Sequence, residues 1–115
     1  MSARFNLIVE QATTFNFQFT IKNNGTPWNL TGYTATMTVR PFLGATTTTT
    51  VATTANGEIS INGGLGQITV TLSAGVTGAI KANTYVYDLV LDSGSVITRI
   101  LEGQFIVTGA VTTNV

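Results

Sequence analysis

The sequence contains no cysteine and no histidine among its 115 residues. Without cysteine it forms no disulfide and no thiolate metal site, and its redox compartment cannot be inferred. Without either residue, nucleophilic catalysis would depend on a Ser–Lys or a carboxylate pair. The five carboxylates are scattered and show no paired spacing. We therefore expect a protein that is not an enzyme and that binds no metal, no cofactor and no small-molecule substrate.

Charged residues are also scarce, at 9% of the chain, against roughly 25% in typical soluble domains. The five basic residues are dispersed and balance the five acidic ones, so the formal net charge is zero. Nucleic acids and anionic membranes both require a concentrated positive surface, and we expect neither as a partner. Near-zero charge promotes association, which favours a subunit that is packed against other proteins.

Long apolar runs are absent, and none approaches the ~20 residues of a membrane-spanning helix. The N-terminus lacks the charged start and apolar stretch of a secretion signal, so we expect synthesis in the cytoplasm without a signal peptide. A chain of 115 residues is long enough for one two-layer core and too short for two domains. We predict a single domain over residues 1–108, followed by a polar tail over 109–115.

Threonine, valine and isoleucine take the place of the missing charged residues, and β-branched side chains favour strands. The clearest alternation of apolar and polar residues is in the stretch 15–22, where Phe15, Phe17 and Phe19 are apolar positions. Similar patterns predict strands at 4–10, 15–22, 33–40, 58–61, 67–72, 85–91 and 96–107. The threonine-rich stretch 42–55 is either a loop or an edge strand near 48–53. A helical turn is predicted at 74–80, with Ser73 as its N-cap.

Strands at this regular spacing, with turn signals between them, are typical of a β-sandwich. We predict an all-β, two-layer, immunoglobulin-like sandwich of about seven or eight antiparallel strands. The best-specified element is the hairpin formed by the last two strands. A two-residue loop at Ser93 and Gly94 would place Asp88 directly opposite Arg99, and this opposite-charge pair supports the register.

The predicted hairpin has two apolar faces, of which the one bearing Tyr85 and Tyr87 is expected to lie in the core. A β-bulge near Glu102 and Gly103 would return Phe105 to the core. The second face lacks an obvious cover and is our candidate protein interface. Its predicted residues are Val86, Asp88, Val90, Ile97, Arg99 and Leu101. The alternative is that residues 42–55 or a terminus of the same chain cover it.

Trp28, which follows Pro27, and the nearby Tyr33 offer a second candidate site. Aromatic rings beside asparagine side chains are typical of a carbohydrate platform, so a carbohydrate-binding module is an alternative function. The more common role of such a tryptophan is to close one end of a sandwich core.

An ordered set of motifs resembles a known family. Asn24 to Tyr33 (NGTPWNLTGY) leads into Thr36 to Arg40 (TMTVR), and later segments continue the same pattern. These segments are Asn56 to Ile59, Gly66 to Val70, Tyr85 to Leu89 and Leu101 to Val107. Over residues 5–108 the chain is similar to the N-terminal domain family of bacteriophage baseplate upper proteins.

This resemblance implies an immunoglobulin-like sandwich without catalytic activity, located in the virion of a tailed phage. The implied role is a tail, baseplate or neck adaptor, with capsid decoration, or cement, as the alternative. The implied partners are other virion proteins and copies of the chain itself, arranged in a symmetric assembly.

Overall fold

The computed structural model describes residues 3–23 and 25–109. In chain order the strands are β1 (Ala3–Arg4), β2 (Leu7–Glu10), β3 (Phe15–Thr20), β4 (Lys22–Asn23), β5 (Thr26–Pro27), β6 (Thr34–Arg40), β7 (Thr50–Thr53), β8 (Ile59–Asn62), β9 (Gln67–Leu72), β10 (Asn83–Asp92) and β11 (Ile97–Thr108). A 3-10 turn spans Gly63–Leu65, and a short helix, α1, spans Ala74–Gly78.

The strands form two sheets that pack face to face. The large sheet has the order β1-β11-β10-β6-β7, with β2 also paired to β11, and the small sheet has the order β3-β9-β8. Strands β4 and β5 form a separate short pair. The two sheets share one core cluster, to which Phe105 and Leu89 contribute from the large sheet and Ile68 and Leu72 from the small sheet. The predicted all-β, two-layer sandwich is therefore confirmed.

The N-terminal segment forms two strands, whereas the sequence predicts one. Both run parallel to β11, with Arg4 opposite Glu102 and Leu7 opposite Phe105, while the other described strand pairs are antiparallel as expected. At the break between β1 and β2 the backbone of Phe5 passes close to Gly103. A Cβ added to Gly103 would clash with the Phe5 carbonyl oxygen, so the parallel pairing depends on glycine at this position.

The predicted two-residue hairpin loop is wrong. Asp92 pairs with Ile97, so the loop contains four residues, 93–96. The loop closes on itself, because the Ser93 amide donates to the Val96 carbonyl at 3.0 Å and the Val96 amide donates to the Ser93 hydroxyl at 3.1 Å. Asp92 Oδ1 also accepts from the Gly94 amide at 2.8 Å. These local bonds favour the longer loop and shift the whole register.

A β-bulge is present in β11, but it lies upstream of the predicted position. The register shifts between Leu89 and Val90, which face Leu101 and Arg99 respectively, so Ile100 is the extra residue. Ile100 and Leu101 are consecutive and both are buried. Two adjacent apolar residues can both face inward only where the alternation breaks, and a bulge provides that break. Downstream of it Phe105 is buried in the core, as expected.

Ser73 caps α1 as predicted, since its hydroxyl accepts from the Val76 amide at 3.3 Å. Within the threonine-rich stretch, Thr50–Thr53 forms edge strand β7 beside β6, whereas residues 41–49 form a loop. Apart from Gly109, the predicted tail 109–115 lies outside the described residues.

Candidate interaction surface

The predicted interface maps to the side of the large sheet that faces away from the core, here called the outer face. Five of the six predicted residues lie there, namely Val86, Asp88, Val90, Ile97 and Arg99. Leu101 does not, because the bulge at Ile100 turns its side chain into the core, where it is 9% exposed. Its placement on the second face was therefore wrong.

Charged side chains at the centre of the outer face form ion pairs. Arg99 Nε lies 3.1 Å from Asp88 Oδ2, so the predicted partners do meet. They meet diagonally, because Arg99 lies opposite Val90 and Asp88 lies opposite Glu102. Like charges opposite each other are destabilising, and Arg4, whose Nη2 is 3.7 Å from Glu102 Oε2, offsets this second carboxylate. Both arginines are more than half exposed and both carboxylates are about one-third exposed, so the two pairs orient side chains more than they stabilise the fold.

The loop 41–49 rises beside one end of the outer face. Arg40 holds it there, because one guanidinium nitrogen, Nη1, donates to the carbonyl oxygens of Ala45 at 3.1 Å and of Thr47 at 3.4 Å. An open cavity of about 390 Å³ lies between the loop and the sheet. It is bordered by Leu43, Ala45, Arg40, Val86, Asp88 and Glu102, among others. The stretch 42–55, which the alternative interpretation expected to cover this face, borders one end of it and leaves the cavity open.

Several apolar side chains on or beside the outer face are exposed to solvent. Ile97 is 72% exposed, and Val96, at the hairpin tip, is 61% exposed. Leu43 in the loop is 91% exposed, and Ile8 on β2 is 65% exposed. Sequence reasoning missed Ile8, Leu43, Val96 and Arg40 as surface residues of this face. The sequence pattern could have identified Ile8 and Arg40 as residues of this face. In both strands buried residues alternate with more exposed ones, and Ile8 and Arg40 occupy the more exposed positions.

The opposite side of the molecule has a different chemistry. The solvent side of the small sheet presents only uncharged polar side chains over the paired strands: Asn16, Gln18, Thr20, Ser60, Asn62, Gln67, Thr69 and Thr71. Some bond across the strands, such as the Gln18 amide to the Thr69 hydroxyl at 3.1 Å. The exposed apolar side chains Ile8, Leu43, Val96 and Ile97 and the two ion pairs thus lie on or beside the large sheet, and the solvent side of the small sheet has no counterpart over its paired strands.

Trp28 and Tyr33 lie together at the edge of the core. Their rings meet edge to face, with centroids 6.1 Å apart, and both are half-buried against the core cluster. The Trp28 backbone is fixed as well, since its amide donates to the Ile21 carbonyl at 2.9 Å. This geometry fits the expected packing role of Trp28, and binding of carbohydrate at this pair stays a prediction.

Within the part of the chain that the structure describes, no group of three or more acidic side chains is placed to hold a metal ion. Over the same residues, no helix is long and apolar enough to cross a membrane.

The fold and the surface together define a class, namely a small two-layer β-sandwich in which one sheet face combines exposed apolar side chains with ion pairs. A solved structure of this kind is the N-terminal domain of phage TP901-1 ORF48, with a TM-score of 0.55 and 13% sequence identity. The alignment covers 88% of this chain and 82% of that one. At this identity the similarity shows a shared fold. No protein-family model matches the sequence, and no curated protein matches it.

Proposed function

We propose that this chain is a non-enzymatic structural protein of a tailed bacteriophage virion, where it acts as a tail, baseplate or neck adaptor. The outer face of the large sheet is the observation that carries the proposal. It combines exposed apolar side chains with ion pairs in a molecule whose other sheet face is uncharged and polar. Surfaces of this kind mark protein interaction sites. The shared fold with the phage ORF48 domain supports a phage context.

In this role the chain docks through the outer face against other virion proteins or against copies of itself. The interface is modest, but symmetric assembly repeats it and so multiplies its strength. The chain binds no nucleic acid, membrane, cofactor or substrate, and it reaches its place in the virion by assembly inside the host. Within the same class, the alternative position is the capsid surface, where the chain would act as a decoration protein.

Immunogold electron microscopy of purified phage particles from the source of this sequence tests the proposal. Antibodies raised against the recombinant chain are expected to label the tail or the neck. Labelling over the capsid surface would replace the adaptor role by decoration. Particles that carry neither gold label nor peptides of this chain in their mass spectrum would contradict a virion role of any kind.

A further inference from the structure

The outer face carries a projection at one end and a cavity that extends from the other end to the middle of the face. The projection is the hairpin tip, defined by Val96, Ile97 and Asp92, whose two apolar side chains are 61% and 72% exposed. The cavity has a volume of about 390 Å³ and is bordered by Leu43 and Val86 at its far end and by Asp88 and Arg99 at the middle of the face. Val86 and Asp92 are six positions apart on one strand, which corresponds to about 20 Å at ~3.3 Å per residue.

Each end also carries a charged side chain that has no ion pair among the described residues. Arg40 borders the cavity, and its guanidinium donates to backbone carbonyl groups of the loop 41–49. Asp92 at the tip accepts a hydrogen bond from the Gly94 amide. Among the described residues, neither side chain has an opposite charge within 4 Å, in contrast to the Asp88–Arg99 and Arg4–Glu102 pairs. The tip is thus apolar with a negative charge that has no ion pair. The other charged side chains that border the cavity, Asp88, Arg99 and Glu102, form ion pairs, so Arg40 contributes the positive charge there that has none among the described residues.

We infer that the outer face binds a second copy of this chain, with the hairpin tip of each copy seated in the cavity of the other. A two-fold axis lying between the two faces, perpendicular to β10 and passing over its middle, makes both contacts at once. It sets Asp92 of one copy near Arg40 of the other, twice in each dimer. This inference rests on the proposed role as an assembly subunit and identifies the subunit's partner.

The same axis passes over the central ion pair. Asp88 and Arg99 are joined by a 3.1 Å bond and border the cavity on the side nearer the tip, so the two copies bring their ion pairs together at the centre. There each arginine faces a carboxylate of both copies, an arrangement without like-charge conflict. Since the whole chain has zero net charge, no long-range repulsion opposes the approach of a second copy.

The dimer is expected to be weak in dilute solution. The outer face measures about 24 Å across its strands and about 20 Å along β10, so it buries about 500 Å² in each copy. Stable interfaces bury about 800 Å² in each partner. Sedimentation velocity is therefore expected to show a monomer at low concentration and a growing dimer fraction as the concentration rises.

Exchanging the charges of Arg40 and Asp92 distinguishes this dimer from other modes of association. Arg40→Glu and Asp92→Arg are each expected to weaken dimerisation by about tenfold or more, because each places like charges in both contacts. The double variant restores opposite charges and is expected to dimerise like the wild type, even though each single variant also loses local backbone bonds. Lys22→Glu, a charge reversal on the exposed strand β4, is the matched control and should leave dimerisation unchanged.

Cross-linking provides a second, independent measurement, since the chain has no cysteine of its own. Gln104→Cys and Ile97→Cys change exposed side chains on the outer side of β11 and should leave the fold intact. Gln104 lies opposite Val86 and Ile97 lies opposite Asp92, so the two-fold axis over the middle of β10 brings position 104 of one copy onto position 97 of the other. When the two variants are mixed and oxidised, the inferred geometry predicts disulfides between Cys at 104 of one copy and Cys at 97 of the other. Disulfides formed only between two tips would overturn the inference, as would a chain that remains monomeric up to its solubility limit or a double variant that is not rescued.

These outcomes are separate from the test of the virion role. A chain that labels phage particles but never dimerises keeps the proposed function and loses the second copy as its partner. A chain that dimerises in the inferred geometry but is absent from particles keeps the interface and loses the virion role.

Discussion

Tyr87 links the N-terminal segment to the middle of the large sheet. Its hydroxyl donates to the Phe5 carbonyl oxygen at 2.6 Å, and its ring packs edge to face against Phe105 at 6.5 Å between centroids. The side chain is 4% exposed, and this burial raises the pKa of Tyr87 from 10.0 to about 12. The buried Tyr87 hydroxyl thus acts as a hydrogen-bond donor, and folding favours its neutral, protonated form.

Stability is expected to fall as the pH rises from about 10 to about 12, because the unfolded chain loses the Tyr87 proton first. Below about pH 10, Tyr87→Phe should be less stable than the wild type by about 1 kcal/mol, since the Phe5 carbonyl loses its donor. Above about pH 10 this difference should shrink, because only the wild type carries the Tyr87 proton. Its pKa shift of about two units corresponds to about 2.7 kcal/mol of unfolding free energy, which the wild type loses as the pH rises. Urea unfolding at a series of pH values measures the difference in stability between the two proteins.

Tyr33→Phe is the control for the Tyr87 experiment. This variant retains the Tyr87 phenol, so its stability should follow that of the wild type in parallel across the same pH range. A difference between wild type and Tyr87→Phe that stays constant from about pH 8 to about pH 11 would show that the Tyr87 proton is not linked to folding.

At the scale of elements, the exposed edge of β7 is blocked by a single side chain from the following turn. Asn56 Oδ1 accepts from the Thr53 amide at 3.1 Å, and Asn56 Nδ2 donates to the Val51 carbonyl at 3.2 Å. The amide group therefore occupies the position that the backbone of another strand would take. Unpaired edges invite pairing with other chains, so Asn56 directs association away from the edge and leaves the outer face available.

Asn56→Ala is expected to cost about 1–2 kcal/mol of unfolding free energy, because two backbone groups of β7 lose their partners. It should also aggregate faster, since the freed edge can pair with a second chain. Chemical denaturation and light scattering measure the two effects. Asn62→Ala removes an exposed asparagine that makes no capping bond and should change stability by less than about 0.5 kcal/mol. Equal effects from both variants would contradict edge protection.

For the whole molecule, Phe105 joins the two layers. It is fully buried, and its ring contacts Phe15 of the small sheet at 6.4 Å and Tyr87 of the large sheet at 6.5 Å between centroids. Strands β1 and β2 also pair with β11 in parallel, so β11 holds the N-terminal strands in the large sheet. Loss of packing at Phe105 therefore affects both sheets together.

Phe105→Ala is expected to cost about 3–5 kcal/mol, as is usual for deletion of a buried aromatic ring. This is a large share of the about 5–15 kcal/mol that stabilises a typical domain, so the midpoint of thermal unfolding should fall sharply in calorimetry. Phe42→Ala removes the same ring where it is 62% exposed and should shift stability by about 0.5 kcal/mol or less. A similar loss in the two variants would mean that Phe105 does not join the layers.

The sequence by itself determined most of the long strands, because apolar and polar residues alternate wherever one face of a strand is buried. It also identified the Ser73 cap and the contact of Asp88 with Arg99, both of which depend on residues close together in the chain or across one hairpin. These local patterns were sufficient for the all-β, two-layer class. The same alternation located the outer face and five of its six predicted residues.

Only the tertiary structure decided the register and the chain's long-range pairings. The side chain of Ser93 closes a four-residue loop, and core packing of both Ile100 and Leu101 forces the bulge, so Leu101 leaves the outer face. The parallel pairing of β1 and β2 with β11 joins residues almost a hundred positions apart, and alternation along one strand carries no information about such a partner. The cavity beneath the loop 41–49 likewise forms only when Arg40 holds the loop against the folded sheet.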